Sequence, residues 1–396
     1  MSETQVWQKR WESALMNNYG TPPVALVRGE GAVVWDADGR EYLDLYAGLA
    51  VNVLGHAHPA VQEAVARQLG TLAHVSNLFI APTTVELAER LTALTGFDRV
   101  LFTNSGAEAN EAGLKIARRH RPGGGFVACD GAFHGRTMGA LAITGQPAKR
   151  TPFEPLPGPV TFVPYGDSAA ITAAVTGATA SVVLEPVLGE AGVVVPPPGF
   201  LAAAGKAAQA HGALLHVDEI QGCLGRAGAW LSHTVVEPEL QPDVVTIAKG
   251  IGGGLPMGAV LARGEAASAL VKGDHGTTFG GNPVVAAAAL AVLDVIEKDE
   301  LLARSTAIGS ALRAGVEALN HPRVSHVRGV GAWLGIVLSS PVAPAVELAA
   351  REAGFLVNAA APDAIRLAPP LVLTDAQVAA FLAALPSVLD AVSVPS

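Results

Sequence analysis

Charge is scarce in this chain of 396 residues: 15% are Asp, Glu, Lys or Arg, whereas half are hydrophobic. Such a composition excludes a disordered polymer and supplies a large globular core. The few charges are unbalanced, with 26 Lys and Arg against 35 Asp and Glu and a formal net charge of −9 at pH 7. No lysine- or arginine-rich block offsets that balance, so neither nucleic acid nor an anionic membrane is expected as a partner. Cysteine is nearly absent. Cys129 and Cys223, the only two, cannot build a disulfide framework and fit a reducing, cytoplasmic compartment. No uncharged apolar run reaches membrane-spanning length; the alanine-rich stretch 284–295 is interrupted by Asp294, followed by Glu297 and Lys298, and reads as a buried helix. Residues 1–12 mix charges with Trp7 and Trp11 and lack the apolar core of a signal peptide. Nucleotide-binding loops are missing too. Gly250 to Leu255 lacks the Gly-Lys-Ser/Thr end of a phosphate loop and fails the dinucleotide glycine spacing, as do Gly329, Gly331 and Gly335.

What is present is an alternation of short apolar runs with helical patterns. Strands are expected at 100–102, 126–129, 161–163, 181–185, 214–218, 244–248 and 259–262, and helices at 107–119, 169–175 and 199–211. That order predicts an α/β fold with a mainly parallel sheet, whose ligand crevice lies beyond the carboxyl ends of the strands. Asn104-Ser105, Glu185, Asp218 and Lys249 each follow a strand, which draws them towards one crevice. Lysine rarely closes an apolar strand unless its ammonium is paired or its amine is used. A desolvated lysine that is neutral part of the time suits imine formation, and a carboxylate from a neighbouring strand suits a pyridine nitrogen. Lys249 and Asp218 together therefore point to pyridoxal phosphate chemistry.

Outside this core, residues 24–46 read as a hairpin with strands 24–27, 32–36 and 41–46 and a turn at Asp38-Gly39. A helix over 286–296 leads to strands near 324–327, 333–338 and 365–367. The expected division is an N-terminal segment of a smaller domain at 1–54, a large cofactor-binding domain at 55–285, and a C-terminal small-domain segment at 286–396. Several motifs have bland alternatives. Ser105 is a good helix cap whether or not Gly106 and its neighbours hold a phosphate. Phe133 alone reads as a core residue, though it could stack on a pyridine beside Arg136, whose guanidinium could hold a carboxylate. His56 and His58 read as loop histidines, and no metal site is expected.

In order along the chain, these motifs resemble the class III (subgroup II) aminotransferases of pyridoxal phosphate fold type I. The segments are Gly48–Asn52 with Gly55–Pro59, Asn104–Asn110, Phe133–Met138, Glu185–Glu190, Asp218–Gln221, Ala248–Gly254, His275–Pro283 and Ile365–Pro370. The resemblance covers essentially the whole chain and implies a large domain with a mainly parallel sheet plus a smaller α/β domain. It implies that Gly106 and Ala107 hold the cofactor phosphate, that Phe133 stacks on the ring, and that Asp218 keeps the ring nitrogen protonated. Gln221 would contact the ring hydroxyl, with Ser105, Glu219 and Ile220 completing the cofactor set around Lys249. Thr278 would reach the phosphate in another subunit and Thr277 would lie beside the substrate, which implies a homodimer with shared active sites. Leu188 departs from the Gln or Met frequent in relatives, and Gly222-Cys223 from the usual Thr-Gly.

The substrates implied are acetylornithine as amine donor and 2-oxoglutarate, which becomes glutamate, as acceptor. The members acting on N-succinyl-diaminopimelate, ornithine or 4-aminobutyrate are the alternatives. Glutamate carries a carboxylate at the reacting carbon, whereas the δ-carbon of acetylornithine carries none. The resemblance sends Arg366 to the α-carboxylate of glutamate and Arg136 to its distal one, or to the single carboxylate of acetylornithine. Glu190 would pair with Arg366 when no substrate carboxylate is there to do so.

Overall fold

The computed structural model describes residues 1–392, so the last four residues of the expected C-terminal segment lie outside the description. Among the described residues fifteen strands fall in chain order: β1 (Leu26–Glu30), β2 (Val33–Asp36), β3 (Glu41–Asp44), β4 (Arg99–Thr103), β5 (Gly125–Cys129), β6 (Val160–Val163), β7 (Thr179–Leu184), β8 (Leu214–Asp218), β9 (Val244–Ile247), β10 (Gly258–Ala262), β11 (Val324–Val330), β12 (Trp333–Leu338), β13 (Phe355–Leu356), β14 (Asn358–Ala361) and β15 (Ala364–Leu367).

Seven of them form the central sheet in the order β4-β10-β9-β8-β7-β5-β6. Only β10 runs against its neighbours, pairing antiparallel with both β4 and β9; the mainly parallel sheet expected from the alternating pattern is present. Strands β7 to β10 are buried along their whole length. Helices cover both faces of such a sheet, which is why its strands read as unbroken apolar runs rather than alternating ones. One covering helix, Gly106–His120, turns Ala109, Ala112, Leu114 and Ile116 inward.

Two four-stranded sheets flank this core. In β1-β2-β3-β13 the N-terminal strands form an antiparallel meander, and β13 from the C-terminal region adds parallel to β3. The order β11-β12-β15-β14 is antiparallel throughout. The three strands expected within 24–46 are present, and the first starts at Leu26 rather than Val24. Pro22 and Pro23 restrict the chain there and offer no N–H to a ladder. The helix expected at 286–296 spans Pro283–Lys298, because Asn282 caps it by accepting from the Val284 amide and Pro283 takes a first-turn position. It packs against helix Pro59–Thr71. The domain break expected at 285/286 therefore falls inside a continuous helix. No helix among the described residues is long and apolar enough to cross a membrane.

Candidate active site

A cavity of about 430 Å³ opens at the carboxyl ends of β4, β7, β8 and β9. Ser105, Gly106, Ala107, Phe133, Arg136, Asp218, Ile220, Gln221 and Lys249 all line it, together with Asn104 and Glu185. A wider cleft of about 840 Å³ sits elsewhere, between His120, Lys206, Asp243 and Arg263, and none of the expected site residues faces it.

One end of the cavity is built by the start of helix Gly106–His120. Ser105 Oγ accepts from the Glu108 amide, while the first-turn amides of a helix have no intrahelical partner. Gly106 is required by close approach: a Cβ there would lie 2.7 Å from Ile220 Cδ1. Asn104 donates to Thr277 Oγ1 at 2.9 Å, tying Thr277 to the edge of the cavity. Thr278 is exposed and lies outside this chain's cavity.

Asp218 closes β8 and is buried. Its Oδ2 accepts from Asn110 Nδ2 at 2.8 Å and faces His134 Nδ1 at 2.7 Å, and its Oδ1 accepts from the Ile220 amide at 3.0 Å. Burial alone would raise the Asp218 pKa, but the His134 hydrogen bond and charge and the Asn110 bond hold it below the usual carboxylate range. Burial disfavours a charged His134, and the Asp218 hydrogen bond and charge reverse this and raise its pKa. Glu185 accepts from the Phe133 amide at 2.8 Å, and burial pushes its pKa up to about 7 against the opposing His134 charge.

Lys249 follows β9 after one residue, with a left-handed φ of 49°. Its pKa is lowered, burial being the main cause, with Glu190 and Asp218 opposing. Beyond it, Arg366 is buried in β15 with three side-chain bonds: Nη1 donates to Glu190 Oε1 at 2.6 Å and Gln221 Oε1 at 2.7 Å, and Nη2 donates to Asn358 Oδ1 at 2.7 Å. Burial would raise the Glu190 pKa, but the Arg366 charge and hydrogen bond bring it below its ordinary value. Arg136 is exposed, with its guanidinium 5.6 Å from the centre of the Phe133 ring.

Phe133, a core residue when read alone and a ring-stacking one by the resemblance, is half-buried and lines the cavity. Glu219, expected among the cofactor-binding residues, is turned away. Its carboxylate accepts from the Ser232 amide at 2.8 Å and the His233 amide at 2.7 Å, and also meets Ser232 Oγ and His233 Nδ1. Of the four successive residues 218–221, Asp218, Ile220 and Gln221 line the cavity and Glu219 does not.

Sequence reasoning assigned no role to Asn110, His134, Lys149 or Asn358. Asn110 had a signal, a polar side chain one turn inside a helix on its buried face. Lys149 had none in its spacing, yet its Nζ stands 4.9 Å from the Phe133 ring centre, with its pKa lowered mainly by burial. Of the expected loop histidines, His56 pairs with Asp44 at 2.8 Å.

Comparison with known proteins gives a match to the aminotransferase class-III family over residues 15–389. The chain is 60% identical to the acetylornithine aminotransferase of Streptomyces coelicolor over 384 residues, 96% of this chain and 95% of that one. It is 58% identical to the acetylornithine aminotransferase of Mycobacterium tuberculosis over 393 residues, 98% and 97% of the two chains. Among solved structures, the ornithine aminotransferase of Toxoplasma gondii superposes with a TM-score of 0.93 at 30% identity, covering 99% of this chain and 96% of the other.

Proposed function

The chain belongs to the class III aminotransferases, and from that premise we propose that it moves the terminal amino group of N2-acetylornithine to 2-oxoglutarate. The products are N-acetylglutamate 5-semialdehyde and glutamate, a step of arginine biosynthesis. The observation that carries this reading is the Glu190–Arg366 pair beside Lys249 and Asp218: one cation there can be covered or uncovered as the amine donor changes.

The side chains fit pyridoxal phosphate. The Ser105-capped helix start suits a phosphate on the amides of Gly106 and Ala107, and a Cβ at Gly106 would crowd Ile220. Ile220 and Phe133 would sandwich a flat ring, with Gln221 at its edge. When bound, the cofactor supplies an aldehyde that takes the amino group and a ring that withdraws electrons. Asp218, bonded by His134 and Asn110, would hold a proton on the ring nitrogen. Lys249 would anchor the cofactor through its amine, and its Nζ, made less basic by burial, would be the group that takes and returns the proton at the carbon bearing the amine, Cδ of acetylornithine or Cα of glutamate. Arg136 holds the carboxylate of acetylornithine or the distal carboxylate of glutamate, with Thr277 at the substrate's edge. Arg366 takes the α-carboxylate of glutamate once Glu190 has swung away. With acetylornithine bound, Glu190 stays and spares Arg366 an unpaired charge beside a methylene.

We further propose a cytoplasmic homodimer in which Thr278 reaches the phosphate of the other subunit. Thr278 sits beside exposed Phe279, and Asn77 ties this segment to the neighbouring exposed run Leu78, Phe79 and Ile80. Together they make an apolar surface of the kind a dimer covers. The assignment is tested by steady-state kinetics on acetylornithine, N-succinyl-diaminopimelate, ornithine and 4-aminobutyrate. Acetylornithine should have the highest kcat/KM; ornithine or 4-aminobutyrate outpacing it would overturn the substrate.

A further inference from the structure

The loop carrying Glu190 lies on a single row of the β11-β12-β15-β14 sheet. Arg328 of β11 faces Gly335 of β12, Gly335 faces Arg366 of β15, and Arg366 faces Asn358 of β14. Residues directly opposite in antiparallel ladders project to the same side of a sheet, so both arginines rise from one face with a glycine between them. The loop fills that gap. Arg366 Nη1 donates to the Glu190 carboxylate at 2.6 Å. Arg328 Nη2 donates to the carbonyl of Ala191 at 3.2 Å, and its Nε to the carbonyl of Gly192 at 2.8 Å. A Cβ at Gly335 would lie 2.5 Å from the Gly192 oxygen, so only glycine lets the loop backbone settle between the two arginines.

The loop is also closed on itself. Leu188 and Val194 exchange two backbone hydrogen bonds, at 2.9 and 3.0 Å. Between them Val193, fully buried, has a φ of 61°. A β-branched residue is strained in that region and stays there only where its surroundings over-determine it. The two Arg328 bonds grip the carbonyls of the two residues between Glu190 and Val193.

We infer that Arg328 is a positioning residue for substrate exchange: it fixes the Glu190 backbone over Arg366, so that the gate opens and shuts by rotation of the Glu190 side chain alone. This rests on the Glu190–Arg366 reading above. With glutamate bound the carboxylate of Glu190 leaves Arg366, and the clamp keeps the backbone in register for its return. With acetylornithine bound the pair must be closed, so that half-reaction depends on the clamp more heavily. A purely structural arginine would instead support both half-reactions alike.

Single-turnover measurements with each amine donor separately test this on the cofactor-loaded enzyme. Arg328→Met should lower the rate constant per unit concentration for acetylornithine about five- to tenfold more than for glutamate, the scale of one or two lost hydrogen bonds. Cofactor affinity should stay unchanged, and Arg328→Lys should restore part of the ratio because an ammonium can still donate to a carbonyl. Glu190→Ala is the reference and should shift the ratio in the same direction. Adding Arg328→Met to it should shift the ratio no further, since Arg328 acts through Glu190. Gly335→Ala is a second route: it displaces the loop with Arg328 intact and should also penalise acetylornithine selectively, which keeps the test decisive if Arg328→Met does not fold. If Glu190→Ala shifts the ratio while Arg328→Met and Gly335→Ala lower both halves equally or change neither, the positioning role is overturned and the gate stands. If Glu190→Ala leaves the ratio unchanged, the gate itself fails.

Discussion

The role proposed for Lys249 makes two demands that conflict in water: the amine must be unprotonated to attack a carbonyl, yet basic enough to pull a proton from carbon. Burial lowers its pKa below the ordinary lysine value, while Glu190 and Asp218 pull the other way. Asp218 is held on the ionised side by the donors around it, despite its burial. Lys249→Ala should therefore fold and bind cofactor without the covalent link, with turnover lower by several orders of magnitude. Visible absorbance that no longer responds to borohydride, together with single-turnover rates, checks this; a variant with ordinary rates would remove Lys249 from its role. At this scale the sequence was informative where a charged residue ended an apolar run, as at Lys249 and Asp218. It was uninformative where a partner comes from far along the chain. His134 and Asn110 reach Asp218 across 84 and 108 positions, and no local pattern carries that pairing.

At the scale of elements, fully buried strands were the easiest to read, because β7, β8 and β9 are apolar on both faces. Boundaries shifted where caps and prolines decide them, as at Leu26 and Pro283. Glu219 came into the expected set with the whole segment Asp218–Gln221, and the sequence carried no sign that its carboxylate bonds Ser232 and His233 instead of facing the cavity. The helix Gly106–His120 joins the two levels. Its first residue must be small for the helix start to approach Ile220, and its cap leaves amides free for an anion. Gly106→Ala should weaken cofactor retention by about 1–3 kcal/mol, the usual range for overpacking a tight contact. The loss should shrink when combined with Ile220→Ala, because the atoms that collide with the new methyl are those of the Ile220 side chain. Equilibrium dialysis of cofactor from the single and double variants reads this out, and strictly additive losses would refute the contact.

The whole molecule raises the question of where an active site ends. Within one chain the cavity has its lysine, its aspartate and Arg136, with Arg366 bonded to the lining residue Gln221, but Thr278 stands outside it on an exposed segment. The surface around it is the least expected in a monomer: Leu78, Phe79 and Ile80 are each more than 70% exposed, and Phe279 lies 5.0 Å from the His74 ring in a tilted contact. Covering such a surface with a second copy removes apolar area from water and would carry Thr278 to the neighbouring cavity. Mixing subunits distinguishes this arrangement from two independent sites. A dimer of one Lys249→Ala and one Thr278→Ala subunit would hold one site with both defects and one with neither, if the threonine serves the opposite cavity. If each chain completes its own site, every site in the mixed dimer keeps one defect. At limiting cofactor, where Thr278→Ala dimers lose their phosphate anchor and Lys249→Ala dimers lack the amine, mixed dimers should regain activity that neither parent has. Native mass spectrometry can verify that subunits have exchanged. Exchange without recovery would leave Thr278 as a surface residue and each cavity complete within its own chain.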